Sequence, residues 1–303
     1  MENVYCSILS KGRVYQFLAL VFSLQKMSKE DFDLFALCIQ DETYNLLEKL
    51  NIKNLHVVHE KELGEEVLAL KTERKIHEYC WTLKPIFLEH LMMKHHSASR
   101  LTYLDCDLYF WNDPSIIFKN QPDCSVLLSP EEKYNPSWSP NFKHYMQKIT
   151  GVYNSGYISF KKDEFGLSCL QWWKKKCIER CEIVPSEGFF GDQKYLDQMP
   201  KLFSNVCDIT TPGVNIGIWN DLKFQFHEDD GAVYVNKDRL IFYHFCGLRI
   251  VNKNKIELIF NQKYVPFIFE YYQQKLQESI DLAEKIDPTF DGYASEEDLK
   301  RYW

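Results

Sequence analysis

Asp105 and Asp107, one residue apart in the stretch RLTYLDCDLYFWNDPSIIF (100–118), offer the residue types and spacing in this chain best suited to chemistry. Two carboxylates at i and i+2, on a chain that has just left strand geometry, can both turn towards one hard cation. Oxygen ligands on a loop suit manganese or magnesium and leave coordination positions open for a diphosphate. The apolar run 101–104 before them reads as a buried strand, so the pair falls where that strand leaves its sheet. Open α/β sheets bind ligands at that place. Asp113 and Pro114 supply an N-cap and a first-turn proline for a helix just beyond. Asp-x-Asp alone is often a solvated turn; its position after Tyr103 and Leu104 favours a site.

Other groups could join that chemistry. The first strand, 4–9, runs into Ser10, Lys11, Gly12 and Arg13, a basic turn where a nucleotide could sit. Arg74 and Lys84 lie among apolar residues and could face phosphates, against the alternative of solvated surface charge. Asn154 and Ser155 supply hydrogen bonds to hydroxyls, and Gly156 lets backbone approach a ligand closely. Asp192 and Gln193, a carboxylate beside an amide, suit a polyol; a plain N-cap role for Asp192 competes. His244, inside the apolar run IFYHF, reads by itself as a hydrogen-bonded core residue, with Gly247 and Arg249 following.

These residues need a frame. Strands at 4–9, 34–39 and 55–58 alternate with helices at 15–24 and 43–50, which indicates βαβ units and a mainly parallel sheet. The segment 74–95 has a helical pattern with Pro85 inside it, so a break or a new helix start is expected there. A further strand is expected at 125–128. The stretch 130–151 carries three prolines among aromatic residues without a clear period and reads as a long loop, either a lid or binding loop or a packed surface loop. Residues 158–160 form a strand, and Asp163 caps a helix running to about Cys181. Segments 224–226, 232–235 and 240–245 read as antiparallel strands with tight turns. From Val265 onward, Ile268, Tyr272, Leu276, Ile280 and Ala283 mark an amphipathic helix.

Composition bounds the class. With 303 residues, 45% hydrophobic and 26% charged, the chain can bury a full core. A net charge of -7 speaks against nucleic acid as a partner, because phosphate backbones want a basic face. Ten cysteines contain no CxxC pair and no zinc-like pattern. They read as free thiols in a reducing, cytoplasmic setting. Cys177 and Cys181 share a helical stripe with Leu170 and Trp173 and so read as core rather than as a redox pair. No transmembrane segment is expected, since no apolar run of sufficient length occurs.

Four stretches, YLDCDLYF, YNSGYISF, GDQKYL and YHFCG, in that order, resemble a GT-A glycosyltransferase, with most similarity to the family 8-like and related nucleotide-diphospho-sugar transferases. The resemblance covers about residues 4–250. It implies an α/β fold with a Rossmann-like, mixed but mainly parallel sheet flanked by helices. The transferase domain would span 1–262, with a C-terminal helical extension over 263–303. It implies that Asp105 and Asp107 hold a divalent cation, usually manganese, against the donor diphosphate, and that His244 adds a ligand from far along the chain. Gly247 matches a glycine that lets backbone approach the phosphates, and Arg249 stands near the place of a family lysine. Asn154, Ser155 and Gly156 would line the donor sugar, with Asp192 and Gln193 beside its anomeric carbon. Ser10, Arg13, Arg74 and Lys84 would help to hold the nucleotide. The implied donor is a nucleotide-diphosphate sugar, a UDP-sugar foremost, and the acceptor a hydroxyl on a glycan, a lipid-linked carrier or a protein. Transfer with retention, in glycan or polysaccharide biosynthesis, is implied too. Two alternatives stand beside this. One is a haloacid-dehalogenase-type phosphatase, whose motif wants Thr where Tyr109 stands; the other is a sugar-nucleotide or glycan binding protein without turnover.

Overall fold

A computed structural model describes residues 3–259, 264–296 and 298–299. Its centre is a seven-stranded sheet. In chain order the first strands are β1 (Asn3–Leu9), β2 (Phe32–Cys38), β3 (Leu55–His59), β4 (Arg100–Leu104), β5 (Leu108–Phe110), β6 (Val126–Pro130) and β7 (Tyr153–Lys161). The spatial order is Val206–Asp208, β6, β7, β4, β1, β2, β3. All neighbours run parallel except β7, which is antiparallel to both β4 and β6. The expected mixed, mainly parallel sheet is therefore present. β4 lies between β1 and β7, and its residues 101–104 are buried on both faces. A near-continuous apolar run is what such a strand requires.

The helices are α1 (Val14–Met27), α2 (Asp41–Leu50), α3 (Glu65–Glu73), α4 (Ile76–Lys94), α5 (Ser115–Asn120), α6 (Pro140–Thr150) and α7 (Glu164–Glu179). α1 and α2 pack on one face of the sheet with the C-terminal helix Pro266–Ile286, and α4 and α7 pack on the other. α1 buries Tyr15, Phe17, Leu18, Leu20, Val21 and Leu24, so it is apolar nearly all round. A helix of that kind must be covered on two sides, and the C-terminal helix supplies the second cover. All five residues that marked that helix, from Ile268 to Ala283, are buried. Its Tyr272 stacks on Phe245, with ring centroids 3.7 Å apart at 6°. Such a pair adds about 0.5–1.5 kcal/mol beyond its buried area. The expected boundary at 262/263 falls outside the described residues.

Several local expectations are corrected. α4 runs unbroken through Pro85. The proline forfeits one backbone bond and crowds the preceding turn, but Tyr79, Leu83, Phe87, Leu88 and Leu91 are all buried, and that packing holds the helix together. The aromatic stretch 130–151 is not one loop: Ser139 caps α6 by accepting from the Phe142 amide, with Pro140 in the first turn. Cys124 and Cys207 form a disulfide joining the lead-in to β6 with the edge strand beside it, so these two thiols are not free. Cys177 and Cys181 are buried in the core as expected, although α7 ends before Cys181. The residues 240–245 do not continue the hairpin that precedes them. Phe226–Asp229, Ala232–Val235 and Asp238–Arg239 form one antiparallel sheet, whereas Phe242–His244 pairs with β5 and with Ile216–Gly217. Among the described residues, no helix is long and apolar enough to cross a membrane.

Candidate active site

Backbone pairing brings the distant histidine to the aspartates. After β4 the Asp105 amide donates to the Gly156 carbonyl at 2.8 Å, and the Leu108 amide donates back to Asp105 O at 3.2 Å, so the chain turns tightly into β5. β5 runs antiparallel to Phe242–His244 with His244 opposite Leu108, and the Phe245 amide donates to Asp107 O at 2.8 Å. His244 Nε2 consequently lies 3.0 Å from Asp107 Oδ1 and 3.9 Å from Asp105 Oδ2.

Ligand atoms of Asp105, Asp107 and His244 all lie within 4.8 Å of one another. Around an octahedral ion with bonds of roughly 2.1 Å, cis ligands stand roughly 3 Å apart and trans ligands roughly 4.2 Å; the 3.0 and 3.9 Å separations of His244 from Asp107 and Asp105 fall in that range, and the 4.8 Å bound on the three leaves at most a small closing movement for one cation. Two hard oxygens and one imidazole suit manganese at least as well as magnesium. Gly156 makes this approach possible. A Cβ there would fall 2.5 Å from His244 Cε1 and 2.8 Å from Asp105 Oδ2. The glycine thus admits the histidine, in addition to any closeness to a ligand expected of it.

Electrostatics tie the group together. Burial disfavours the His244 imidazolium, but Asp107 and then Asp105 outweigh it and raise the pKa above the ordinary value. Burial likewise opposes the Asp107 carboxylate, yet His244, with Arg13 and Arg249 behind it, holds this group well below the usual carboxylate range. Both guanidinium-bearing residues also line the cavity.

Deeper in the same cavity, Lys84 from α4 is 2% exposed, with its ammonium 3.1 Å from Asp105 Oδ1 and 3.2 Å from Asp192 Oδ2. It also donates to the Ser155 hydroxyl and carbonyl. Burial alone would lower its pKa; the two carboxylates raise it well above normal, so it stays an ammonium. The structure turns Lys84 towards carboxylates, a partner that expectation did not foresee. Asp192 makes no capping bond to the short helix after it, which removes the plain N-cap explanation. Burial raises its pKa and Lys84 pulls it back. Gln193 braces the site: its Oε1 accepts from the Ser155 amide, while Nε2 donates to Glu131 and to Thr150 O.

The cavity measures about 230 Å³, and Ser10, Arg13, Asn154, Ser155, Gly247 and Arg249 line it together with the residues above. Arg74 does not line it. Its guanidinium donates to the carbonyls of Cys177 and Ile178 and to Thr82, so it fastens α4 to the end of α7. His77, Trp81 and Phe190 form an aromatic wall that sequence reading missed. His77, Trp81 and Lys84 fall at i, i+4 and i+7 on α4, and that helical spacing was a usable signal. Asp298, near the far end of the chain, also lines the cavity and gave no motif.

No family model matches the chain. It is 47% identical over 304 residues to the uncharacterized protein YfnF of Bacillus subtilis (strain 168), covering 99% of this chain and 100% of that one. It is 31% identical over 298 residues to the uncharacterized protein YfnD of the same organism, covering 95% and 94%. Among solved structures it is similar to the galactosyltransferase LgtC in complex with donor and acceptor sugar analogs, with a TM-score of 0.56, 13% identity and 98% of each chain covered. The phosphatase fold is thereby set aside. The chain belongs to the family of YfnF and YfnD, and its fold is the GT-A fold of nucleotide-diphospho-sugar transferases.

Proposed function

We propose that this protein is a metal-dependent, family 8-like glycosyltransferase that moves a sugar from a nucleotide-diphosphate donor, a UDP-sugar foremost, to a hydroxyl of a glycan, lipid-linked or protein acceptor in glycan or polysaccharide biosynthesis. The observation that carries the reading is the convergence of Asp105, Asp107 and His244 in one cavity, with Arg13 and Arg249 beside them. Asp105, Asp107 and neutral His244 would hold the cation, manganese before magnesium. A divalent ion there supplies Lewis-acid stabilisation of the negative charge that grows on the departing diphosphate.

The chain's own residues do the rest. Arg13 and Arg249 offer fixed positive charge to the same leaving group, where it develops rather than where it rests. Asn154 and Ser155 present hydrogen-bonding groups to the donor sugar. Asp192, pinned by Lys84, stands as a fixed carboxylate that favours positive charge building at the anomeric carbon. Gln193 holds β7 and the residue after β6 at the right separation through its three bonds. With the acceptor hydroxyl attacking from the face the diphosphate leaves, configuration is retained and no strong protein nucleophile is needed.

The test is calorimetric titration of nucleoside diphosphates with manganese and again in excess chelator, beside hydrolysis of UDP-sugars without acceptor. Tight binding only with the ion, plus slow hydrolysis, supports the reading. Equal affinity in chelator sinks it.

A further inference from the structure

We infer that α6, with the turn before it, is a membrane-contact surface: Trp138, Phe142 and Tyr145 enter the headgroup layer of an anionic lipid bilayer while Lys143 and Lys148 meet its phosphates. The surface stands on its own observations. Its purpose, holding the cavity beside lipid-linked acceptors, rests on the transferase reading above.

Two local patterns coincide here. Among the described residues four aromatic side chains are exposed, and three of them, Tyr134, Phe142 and Tyr145, lie in this one stretch. Trp138, Phe142 and Tyr145 follow one another at i, i+4 and i+7, with ring centroids 5.2 Å apart for the first pair and 6.4 Å for the second. The other end of α6 holds the helix to the body: Ile149 and Thr150 are buried, and Lys133 donates to Gly151 O at 3.3 Å. Charge is sorted as well. Residues 133–162 contain no Asp or Glu, in a chain that has 43 of them. Lys143 and Lys148 form no ion pair among the described residues. Carboxylates on the segments that flank α6 or pack against it are already engaged, Glu132 by Lys223 at 2.6 Å, Glu187 by Arg180 at 2.8 Å and Asp197 by Lys194 at 2.8 Å. A protein of net charge -7 thus keeps one helix with uncompensated positive charge beside its exposed rings.

That pairing of features selects the occupant. Aromatic rings settle at headgroup depth, and lysine stems lie along apolar surface while their ammonium groups reach lipid phosphates. A glycan would want free carboxylates around the rings to accept from its hydroxyls, and here they are tied up. A second copy of the chain would need about 800 Å² a side for a stable interface, whereas three rings exposed by 38–53% offer about 300 Å². Placement suits the function proposed. α6 packs against the strand Phe189–Phe190, whose Phe190 lines the cavity, and Gln193 donates to Thr150 O at the end of the helix. A bilayer under α6 would bring a lipid-linked hydroxyl to the neighbourhood of that cavity.

Cosedimentation with vesicles tests the surface. The parent chain is mixed with vesicles of phosphatidylcholine alone and of phosphatidylcholine with phosphatidylglycerol, beside two double variants, Lys143→Gln with Lys148→Gln and Phe142→Ser with Tyr145→Ser. The parent is expected to bind the anionic vesicles and to be released by salt. Loss of the lysines should weaken that binding by about 5-fold for each one removed, and loss of the rings by about 10-fold or more. Thermal midpoints and the manganese shift should match the parent in both variants, which separates a lost surface from a lost fold. A parent that binds neither vesicle, or binding that both variants retain, overturns the inference. So does ring-dependent affinity for soluble oligosaccharides without vesicle binding, which makes the stripe a glycan platform. A dimer that the ring variant dissolves, again without vesicle binding, makes it an interface between copies and overturns the inference too. Vesicle binding by a chain that shows no manganese-dependent nucleotide binding keeps the surface and removes the donor reading; nucleotide binding without vesicle binding does the reverse.

Discussion

At one end of the cavity Asp105 Oδ1 lies 3.1 Å from the Lys84 ammonium, while its other oxygen, Oδ2, lies 3.9 Å from the His244 imidazole. Each end pairs two carboxylates with one buried cation, Asp105 with Asp192 at the lysine and Asp105 with Asp107 at the histidine. The lysine cannot leave: losing its proton would strand two carboxylates in a place where burial already penalises charge. The histidine can give up its proton once pH exceeds its raised pKa, and a neutral ring is what a metal requires. One end is thus a permanent strut and the other, on the proposed reading, a charge placeholder for a cation, and Asp105 belongs to both.

The largest effect should come from breaking the strut. Lys84→Met removes the shared partner of the buried Asp192 and the partly exposed Asp105 and should cost about 3–5 kcal/mol of stability, read by urea denaturation. A loss below about 1 kcal/mol would erase the distinction between the ends. Next, Asp107→Asn should raise the manganese concentration needed for half-maximal donor hydrolysis by about 100-fold, with far less change in stability. His244→Ala should act in the same direction, and the double variant should lose less than the sum, because residues serving one ion act as a unit. Strict additivity would return His244 to the core. Gly156→Ala, which forces a methyl group against His244, should cost about 1–3 kcal/mol and weaken manganese binding too; normal manganese binding in this variant would show that the ring need not sit so close.

A pH series sharpens the same contrast. The His244 pKa is raised in the folded, metal-free chain, so its pairing with Asp107 contributes fully below the ordinary imidazole pKa of about 6.5 and fades as pH rises through the raised value. Asp107, whose pKa is depressed, keeps its contribution above the usual carboxylate range and loses it only as pH falls through its lowered value. Manganese needs the neutral ring, so its affinity should fall by about 10-fold per pH unit once pH is below the raised value. Thermal shifts with and without manganese would record this, and a manganese shift independent of pH would argue against imidazole ligation. The smallest effect on binding belongs to Arg74→Ala, which should cost about 1–2 kcal/mol of stability through its lost bonds and leave nucleotide affinity alone; a large fall in affinity would put Arg74 back in the site.

The cluster proposed to hold the cation was legible in the chain because its signals are local and ordered. Asp105 and Asp107 end an apolar strand, and the resemblance brought His244 to them; without it, a histidine in IFYHF reads as core. The parallel sheet was equally readable, since apolar strands and helices alternate over the first sixty residues. The strut was named only in pieces. Lys84 reads like any helical lysine until α4 is packed against β7, because burial is set by neighbours rather than by local pattern. Pro85 misled for a related reason, as a local penalty gives way to an apolar face whose cover lies elsewhere in the chain. Asp298 had nothing beside it to mark it.

The stack of Tyr272 on Phe245 has a consequence for the timing of assembly. Phe245 is the residue after the histidine, and its cover comes from a helix that begins only at Pro266. During synthesis both aspartates, both arginines and the histidine itself have left the ribosome while that cover is still inside the exit tunnel. A nascent chain at that stage holds all three residues of the proposed cation site without the packing that keeps His244 in register. On the proposed reading, competence to bind a cation should therefore arrive only once the helix that begins at Pro266 has emerged and packed.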